Sequence, residues 1–420
     1  MILVAGIPFY TMPDALHARI TEDRDQMIEL IQSLIRFQTV NPPGNAYPEI
    51  CDFLARRLRG IGFRATVHRV PEKEAVDRQP DLVGFPRANV VGRWDVGAEK
   101  TVHFNAHYDV VPASAGWTHG PFEPVVEGDW LYGRGSADMK GAIGSLFQAL
   151  GAFHGLKRKP AFNVEVSLTA DEETDSILGA SWIVEQGLVR ADWAVVCEGG
   201  SGLSIGCGHN GVVWLEVTVV GKAAHGAHPD RGVNAVEKMS RLVTALESYK
   251  KRLEKIVFMA PDGRPRSATI NVGGVTATAA GGKINTVPGS VTFTIDRRVL
   301  PNEELAAAER DLRTFIGAAS KDIPDLKTEV KSICRHPSSF VEPSDPLPAQ
   351  FARSVTAIRR RRPAFSISSG FNDSHFFAQG AGLPTIGYGP GGFNYHAVDE
   401  RISIHELLMT ARVYAHFLEG

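Results

Sequence analysis

Residues 104–113, FNAHYDVVPA, place a histidine and an aspartate two positions apart where an apolar stretch ends. Side chains at positions i and i+2 of a β-strand point to the same face, so His107 and Asp109 would lie side by side. Burying an imidazole and a carboxylate together is costly unless each has a partner. Two interpretations are open for this pair alone: a structural pair at the end of a sheet, or part of a functional site.

Further titratable residues follow other apolar stretches. Glu172 and Glu173 stand at the end of the segment NVEVSLTADEET, Glu198 follows ADWAVVC, and His396 stands in GGFNYHAVDERISI. Asp138 comes directly before a helical pattern and, taken alone, is best interpreted as a helix N-cap. Together these histidines and carboxylates suit zinc or a related divalent ion. Two ions would need one bridging carboxylate, and one acidic residue would remain as a base for a bound water.

The segments that carry these residues alternate between strand and helix patterns. Short apolar stretches over 88–94, 101–111, 163–169 and 191–197 indicate strands, and apolar spacing indicates helices over 23–38, 48–60, 139–153 and 403–418. This alternation predicts an α/β protein with a mixed, largely parallel sheet. In such sheets ligands bind beyond the carboxyl ends of the strands, which is where the titratable residues fall.

The pattern changes near residue 206. A strand over 211–220, a helix over 232–253, two further strands and a helix near 302–319 indicate a small inserted α+β domain. We therefore expect a first catalytic part at 1–205, an inserted domain at 206–322 and a second catalytic part at 323–420. The apolar strand GVVWLEVTVV is expected to be an unpaired edge that a second copy of the chain covers across a two-fold axis.

Length and composition bound the protein class. At 420 residues the chain is long enough for more than one domain. A formal net charge of −2 gives no reason to expect nucleic-acid or membrane-surface binding. Four cysteines without C-x-x-C spacing fit reduced thiols, so we expect a cytoplasmic protein and no disulfide framework.

The sequence resembles a family of metallopeptidases and deacylases that includes acetylornithine deacetylase, succinyl-diaminopimelate desuccinylase, aminoacylase and glutamate carboxypeptidase. The resemblance runs from about residue 25 to the end and rests on motifs in the family's order: AHYDVVPA, GRGSADMKG, TADEETDSILGA, VVCEGG, GKAAHGAHPDRGVNAVE, NTVPG, DRRVLP and YHAVDERISI. It implies a zinc-exopeptidase-like catalytic domain with an inserted ferredoxin-like domain that serves as lid and dimer interface.

Matched by motif, the resemblance implies two divalent metal ions per subunit. His107 and Glu198 would hold one ion, Glu173 and His396 the other, and Asp138 would bridge them. Zinc is the expected metal, with manganese and cobalt as alternatives, and one of the two sites is expected to be labile.

The resemblance also implies roles for residues beside the metals. Glu172 would be the general base that takes a proton from the attacking water and delivers it to the leaving amine. Asp109 would be the carboxylate that orients the ligand His107. The peptide bond between Asp138 and Met139 is expected to be cis.

The remaining matches concern the substrate. His225 would donate to the oxyanion of the tetrahedral intermediate from the partner subunit; without the resemblance it would be interpreted as a surface histidine. Asn285 would contribute a polar contact near that oxyanion, and Arg298 would bind a substrate carboxylate. Further residues expected to line the substrate pocket are Gly391, Gly392, His375 and His228.

These matches favour a hydrolase that cleaves the amide C–N bond of an N-acyl amino acid or a related small carboxylate. An aminohydrolase that acts on a small aromatic amine such as a nitroanthranilate is an alternative, since His228 and His375 depart from the family's usual residues. A dipeptidase or carboxypeptidase is another. A metal-free binding protein would have lost ligands or the base, yet all six positions are filled. The expected partners are a small carboxylate-bearing substrate and a second copy of the chain, in a homodimer or larger homo-oligomer formed through the insert.

Overall fold

Contacts between residues divide the chain into two units in this computed structural model, which describes residues 14–199, 201–278 and 282–420. Among the described residues, the first unit comprises those of 14–205, 346–363 and 387–420, and the second those of 206–345 and 364–386. The domain limits expected from the sequence, 206 and 322, stay a prediction.

The α-helices, in chain order, are α1 Ala15–Glu22, α2 Arg24–Arg36, α3 Tyr47–Gly60, α4 Glu72–Arg78, α5 Lys140–Gly155, α6 Ala180–Glu185, α7 Ala235–Leu253, α8 Leu305–Asp322, α9 Pro346–Arg359 and α10 Ile404–Glu419. The strands are β1 Arg64–Arg69, β2 Ala88–Trp94, β3 Thr101–His107, β4 Val125–Glu127, β5 Trp130–Tyr132, β6 Asn163–Thr169, β7 Trp193–Val196, β8 Ser204–His209, β9 Gly211–Val220, β10 Ala224–His225, β11 Val257–Met259, β12 Pro265–Ser267, β13 Thr269–Thr278, β14 Thr286–Val287, β15 Ser290–Val299, β16 Lys327–His336, β17 Ser339–Phe340, β18 Ala364–Ser368, β19 Thr385–Gly387, β20 Gly392–Phe393 and β21 Arg401–Ser403.

The helices predicted from apolar spacing are confirmed as α2, α3, α5, α7, α8 and α10, with ends that differ by a few residues. The helix α2 shows why: Met27, Ile31, Leu34 and Ile35 recur on one face, and that face is buried. In the described part of the chain, no helix is both long and apolar enough to cross a membrane.

The sheet of the first unit contains β1, β2, β6, β3 and β7 in that order. The strands β1, β2 and β6 pair antiparallel, whereas β3 runs parallel to both β6 and β7, so the sheet is mixed with a parallel part. In the parallel part His107 at the end of β3 pairs with Thr169 at the end of β6. The residues that follow these strands therefore emerge at the same edge of the sheet, beside the end of β7.

A smaller antiparallel sheet of the first unit, β20-β21-β5-β4, positions the C-terminal site residues. Gly392 of β20 pairs with Ile402 of β21, and Ile402 in turn pairs with Leu131 of β5. The loop between β20 and β21 carries His396, so this sheet anchors the histidine from both sides.

The second unit contains a four-stranded antiparallel sheet with the order β13-β15-β9-β16. With the helices α7 and α8, the chain order is β-α-β-β-α-β, as in ferredoxin-like folds. One face of the sheet is covered by the helices: Leu215 and Val217 of β9 share a buried apolar core with Leu246 of α7 and Leu312 of α8.

The expectation that the strand over 211–220 forms an unpaired edge is wrong. The strand β9 pairs with β15 along its whole length on one side and with β16 over residues 212–220 on the other. Its central position brings it a neighbour, β16, that lies more than 100 residues further along the chain. The outer strands of this sheet are β13 and β16.

All four cysteines, Cys51, Cys197, Cys207 and Cys334, are buried free thiols. They form no disulfide in the described part of the chain, as expected, and the reducing compartment stays a prediction.

Candidate metal centre and active site

His107 ends β3 at the edge of the sheet and is almost fully buried. Its Nδ1 lies 3.1 Å from the backbone oxygen of Asp109 and 3.4 Å from that residue's Oδ1. The nearer acceptor for an Nδ1 proton is thus the backbone carbonyl. This arrangement leaves Nε2 facing away from the sheet, toward Asp138.

Asp138 lies between two histidines and is not the N-cap of α5, since Met139 occupies that position. Its Oδ1 is 3.1 Å from Nε2 of His107, and its Oδ2 is 3.3 Å from Nε2 of His396. The peptide bond between Asp138 and Met139 is cis, as predicted. A carboxylate with one oxygen toward each of two histidines has the arrangement that a bridging ligand requires.

Glu173 completes this group from the turn after β6. Its Oε2 is 3.2 Å from Nε2 of His396, and its buried Oε1 has no hydrogen-bond partner in the described part of the chain. His107, Asp138 and Glu173 each offer a ligand atom within 4.8 Å of the others. His396 itself adopts a left-handed backbone conformation, φ 58°, of the kind that clusters at functional sites.

The carboxylate of Asp109 also contacts the acidic turn. Its Oδ1 accepts the backbone N–H of Glu172 and its Oδ2 that of Glu173, both at 3.2 Å. Asp109 is therefore in contact with the histidine at one strand end and with the two glutamates at the next. The predicted base and the predicted ligand lie in one short turn, Glu172–Thr174.

Glu198 follows β7 and lines a cavity of about 130 Å³ together with Asp138 and Tyr395. The Tyr395 hydroxyl accepts the backbone N–H of Gly392 at 2.7 Å. Gly392 tolerates no side chain, because a Cβ there would lie 2.3 Å from the Cβ of Ala137. The predicted glycine loop thus packs directly against the segment that precedes Asp138.

Glu400 is a residue that the sequence reasoning missed. Its carboxylate is fully buried and accepts the backbone N–H groups of Gly135, Ala137 and Asp138 at 2.9–3.0 Å. The side chain of Arg134 donates to the same carboxylate at 2.7 Å. Glu400 therefore fixes the backbone that presents Asp138. Its signal was its place four residues after His396 in a motif already singled out.

The electrostatics of the group favour positive charge at its centre. Burial opposes a charge on His107, but hydrogen bonds with Asp109 and Asp138 raise its pKa well above the ordinary value. Hydrogen bonds with Asp138 and Glu173 raise the pKa of His396 to about 10. Burial would raise the pKa of Asp138, yet the two histidines hold it below its usual range.

The residues present fit divalent metal ions. Imidazole nitrogen and carboxylate oxygen are the donors that zinc and related ions take, and four carboxylates can neutralise two divalent charges. The buried Oε1 of Glu173 has no hydrogen-bond partner in the described part of the chain, so it is free to be a metal ligand. The structure brings five predicted residues to one edge of the first unit, namely His107, Asp138, Glu172, Glu173 and His396, with Glu198 on the adjoining cavity.

Three predicted substrate residues lie together in the second unit. His225 belongs to β10, which pairs with β14, and its Nδ1 accepts the backbone N–H of Ala227 at 3.1 Å. The backbone oxygen of Asn285 accepts the N–H of Gly226 at 2.7 Å, and the ring of His228 is 6.3 Å from that of His225. All three side chains are exposed, so they are accessible from solvent.

Arg298 and His375 have partners within the second unit. The guanidinium of Arg298 donates through Nε and Nη2 to Oδ2 of Asp296, at 3.2 and 2.9 Å. His375 is buried; its Nδ1 is 2.7 Å from the backbone oxygen of Asn372, and its Nε2 is 2.9 Å from Nδ1 of His336. Roles for both residues in substrate binding stay predictions.

The chain is similar to known proteins over most of its length. The model of peptidase family M20/M25/M40 matches residues 103–420. A succinyl-diaminopimelate desuccinylase from Cereibacter sphaeroides is 29% identical over 404 residues, which cover 93% of this chain and 98% of that protein.

Two solved structures share the fold. The M20 family metallo-carboxypeptidase Sso-CP2 from Sulfolobus solfataricus has a TM-score of 0.75 at 18% identity, covering 94% of this chain and 99% of its own. The YXEP protein of Bacillus subtilis, described as a dinuclear metal binding peptidase from the M20 family, has a TM-score of 0.68 at 13% identity and covers 95% and 98%.

Proposed function

We propose that this chain removes the acyl group from the nitrogen of an N-acyl amino acid. The chain belongs to peptidase family M20/M25/M40 and is a metal-dependent hydrolase. The observation that carries the proposal is the position of Asp138, whose two carboxylate oxygens face two different histidines. The desuccinylase relatives, which match over nearly the full length of both chains, support an N-acyl substrate that carries a carboxylate.

In this proposal His107 and Glu198 would hold one divalent ion, Glu173 and His396 would hold the other, and Asp138 would be a ligand of both. When bound, such ions polarise the amide carbonyl and increase the acidity of the attacking water. Zinc is the proposed metal, with manganese and cobalt as alternatives; a labile second site is part of the same proposal.

Glu172 takes the proton of the attacking water and passes it to the amine nitrogen as the C–N bond breaks. Support comes from its backbone, which Asp109 holds beside the ligand Glu173. His225 donates to the oxyanion, with Asn285 nearby, and Arg298 pairs with the substrate carboxylate. The products are a carboxylate and a free amine, so atoms and protons balance.

A second copy of the chain completes the proposal. The outer strand β13 supports it, because the second half of this strand is exposed on both faces and Val275 is 65% exposed. Pairing such an edge with a second copy would remove an aggregation hazard. A cytoplasmic location is proposed from the spacing of the cysteines alone.

A substrate screen with metal-reconstituted protein tests the proposal. N-acetyl, N-succinyl and N-carbamoyl amino acids, dipeptides and aryl amines are each assayed for a newly formed α-amine and, in parallel, for ammonia. We expect α-amine from an N-acyl amino acid, at a rate that falls when metal is removed by a chelator. Ammonia from a nitroanthranilate without α-amine would replace the proposal by an aminohydrolase, and turnover of dipeptides alone would replace it by a dipeptidase.

A further inference from the structure

The loop after α2 contains a buried asparagine whose place the predicted chemistry does not explain. Asn41 is only 2% exposed, and its backbone N–H donates to the backbone oxygen of Val110 at 2.9 Å. A parallel bridge between Val40 and Val110 adds to this contact. The loop is thus fixed beside the chain that leaves β3, one residue after Asp109.

The side chain of Asn41 reaches two elements at once. Its Nδ2 lies 3.0 Å from Oδ2 of Asp109, 3.1 Å from Oδ1 of Asp171 and 2.7 Å from Oγ1 of Thr174. An amide nitrogen carries two protons, so three acceptors share two donors. The contact joins the end of β3 to the turn that follows β6.

Both carboxylates act on the acidic turn. Asp109 accepts the backbone N–H groups of Glu172 and Glu173, as described above. Asp171 begins the turn in a left-handed conformation, φ 64°, and its other oxygen accepts Nε of the buried Arg87 at 2.8 Å. The direction in which Glu172 and Glu173 leave the sheet therefore depends on how these two aspartates are held.

Two buried carboxylates repel each other because the interior screens charge weakly, and hydrogen-bond donors between them offset part of that repulsion. Arg87 compensates Asp171, and the neutral amide of Asn41 supplies a donor shared by both aspartates without adding charge. Aspartate at this position would have the same shape but would place a third carboxylate against the other two and remove the donor that they share.

We propose that Asn41 is a positioning residue that fixes the distance between Asp109 and the turn 171–174, and through them the placement of Glu172 and Glu173. The inference rests on the proposed function for the roles of those two glutamates. In this role Asn41 acts through Asp109 and Asp171 and not by contact with the substrate.

The test compares three variants of the full-length protein. Asn41→Asp replaces the donor by a carboxylate of equal size, and Asn41→Ala removes it. Asn45→Asp is the matched control, because Asn45 is exposed, lies four residues away in the same loop and undergoes the same change of charge. Each variant is measured for kcat, KM, thermal unfolding, and Co²⁺ affinity by titration of the metal-free protein with its visible absorption spectrum.

We expect Asn41→Asp to lose about 10–100-fold in kcat and in Co²⁺ affinity, which is the usual range for residues that orient metal ligands. Asn41→Ala should lose less, KM should change little in both, and the Co²⁺ spectrum should change because Glu173 is displaced. Asn45→Asp should match the parent within about twofold in the same measurements.

The proposal is overturned if both Asn41 variants melt cooperatively and match Asn45→Asp in kcat and Co²⁺ affinity. It is also overturned if both fail to fold, since Asn41 would then be a structural residue. Should the parent turn over none of the substrates, the proposed function fails by itself, and the Co²⁺ titrations and spectra still decide the role of Asn41.

Discussion

Two histidines of the strand β3 share one face, yet their surroundings give them different tasks. His103 has both ring nitrogens engaged within the sheet, at 2.8 Å from Glu165 and 2.8 Å from Ser167. His107, four residues later, directs Nε2 beyond the sheet edge to the carboxylate that it shares with His396. An engaged imidazole buried among partners stabilises the fold, whereas one at the carboxyl end of a parallel strand is placed to bind a ligand.

The adjacent glutamates of the acidic turn permit a direct test of their roles. A general base is not a ligand, so Glu172→Ala should bind metal nearly as well as the parent while turnover falls by at least about 100-fold. Glu173→Ala should instead weaken metal binding, because its carboxylate is part of the ligand group. Titration of the metal-free variants, together with kcat for the loaded ones, separates the two. Equal metal-binding defects in both would contradict the assigned roles.

Asp109→Asn tests the residue behind His107. Both carboxylate oxygens accept backbone N–H groups, so the amide of asparagine would oppose a donor to a donor at one of them. It would also remove the negative charge 3.4 Å from Nδ1 of His107. We expect a loss of about 10–100-fold in metal affinity or activity. If the metal affinity and the kcat of Asp109→Asn equal those of the parent, Asp109 has only a structural role.

At the scale of residues, the sequence identified the metal-binding residues but not the residues that hold them in position. The metal-binding residues stand in motifs whose spacing is visible, and the structure brings most of them together. Asn41 and Glu400 were missed because they act on residues far away in the chain, Asn41 through the side chains of Asp109 and Asp171 and Glu400 through backbone N–H groups. Nothing local distinguishes a buried asparagine of this kind from one that ends a helix.

At the scale of secondary-structure elements, the ends of the strands determine where the site residues lie. Parallel pairing of β3 with β6 and β7 brings the residues after these strands to one edge, and the loop between β20 and β21 returns His396 to it. Four backbone or side-chain donors on the segment 134–138 converge on Glu400. This segment is the link between the sheet and α5.

Glu400→Gln tests that link. The change leaves the buried Arg134 without its counter-charge, and breaking a buried pair from one side costs about 3–5 kcal/mol. Chemical unfolding should show a loss of stability in that range, together with weaker metal binding. Asp311→Asn is the control, because its partner Arg252 belongs to an exposed pair and the expected loss is about 1 kcal/mol or less. Similar losses in both variants would show that Glu400 has no special role.

The histidines of the second unit predict a response to acid. Burial lowers the pKa of His209 to about 4, and burial together with His209 and His336 lowers that of His375 well below its ordinary value. Unfolded histidines titrate near 6.5, so below that pH the unfolded chain binds more protons than the folded one. The contribution of these two histidines to the free energy of unfolding is therefore present above about pH 6.5 and is lost as the pH falls toward 4.

A variant checks this assignment. The Nδ1 of His209 lies 2.8 Å from the backbone oxygen of Asn210, and an asparagine amide can replace this donor. His209→Asn should therefore lose less unfolding free energy than the parent between pH 7.5 and 5, measured by denaturant titration. His225→Asn, at an exposed position, serves as the control. If the unfolding free energy of His209→Asn falls with pH as steeply as that of the parent, the assignment is wrong.

Elements were predicted well where the signal is local and poorly where it is not. Period 3.6 in apolar residues located α2 and α5 to within a few residues. The strand β9 was assigned to an edge because its second neighbour, β16, lies more than 100 residues away. Apolar and polar residues alternate along most of β9 in both interpretations, so sequence alone could not decide between them.

At the scale of the whole molecule, the question is whether one copy suffices. The outer strand β13 and the exposed side chains of His225 and Asn285 belong to the same unit. If two copies pair through this unit, His225 of one copy can donate to the oxyanion at the active site of the other. A histidine N–H at an oxyanion is a contribution of about 2.7–4 kcal/mol for one donor, so its loss would leave little activity.

Complementation tests this proposal. His225→Ala and Glu172→Ala should each be nearly inactive alone, since one lacks the oxyanion donor and the other the base. In a mixed dimer, the site that keeps Glu172 receives an intact His225 from its partner and recovers, while the other site lacks both. Random exchange makes about half of the dimers mixed, so about a quarter of all sites should be active. Subunits are mixed under conditions that permit exchange, and native mass spectrometry measures the mixed fraction. Activity that rises in proportion to this fraction supports transfer across the interface, because neither parent dimer contains a complete site. Mixed dimers with only the activity of the single variants would show that His225 does not act on the neighbouring copy.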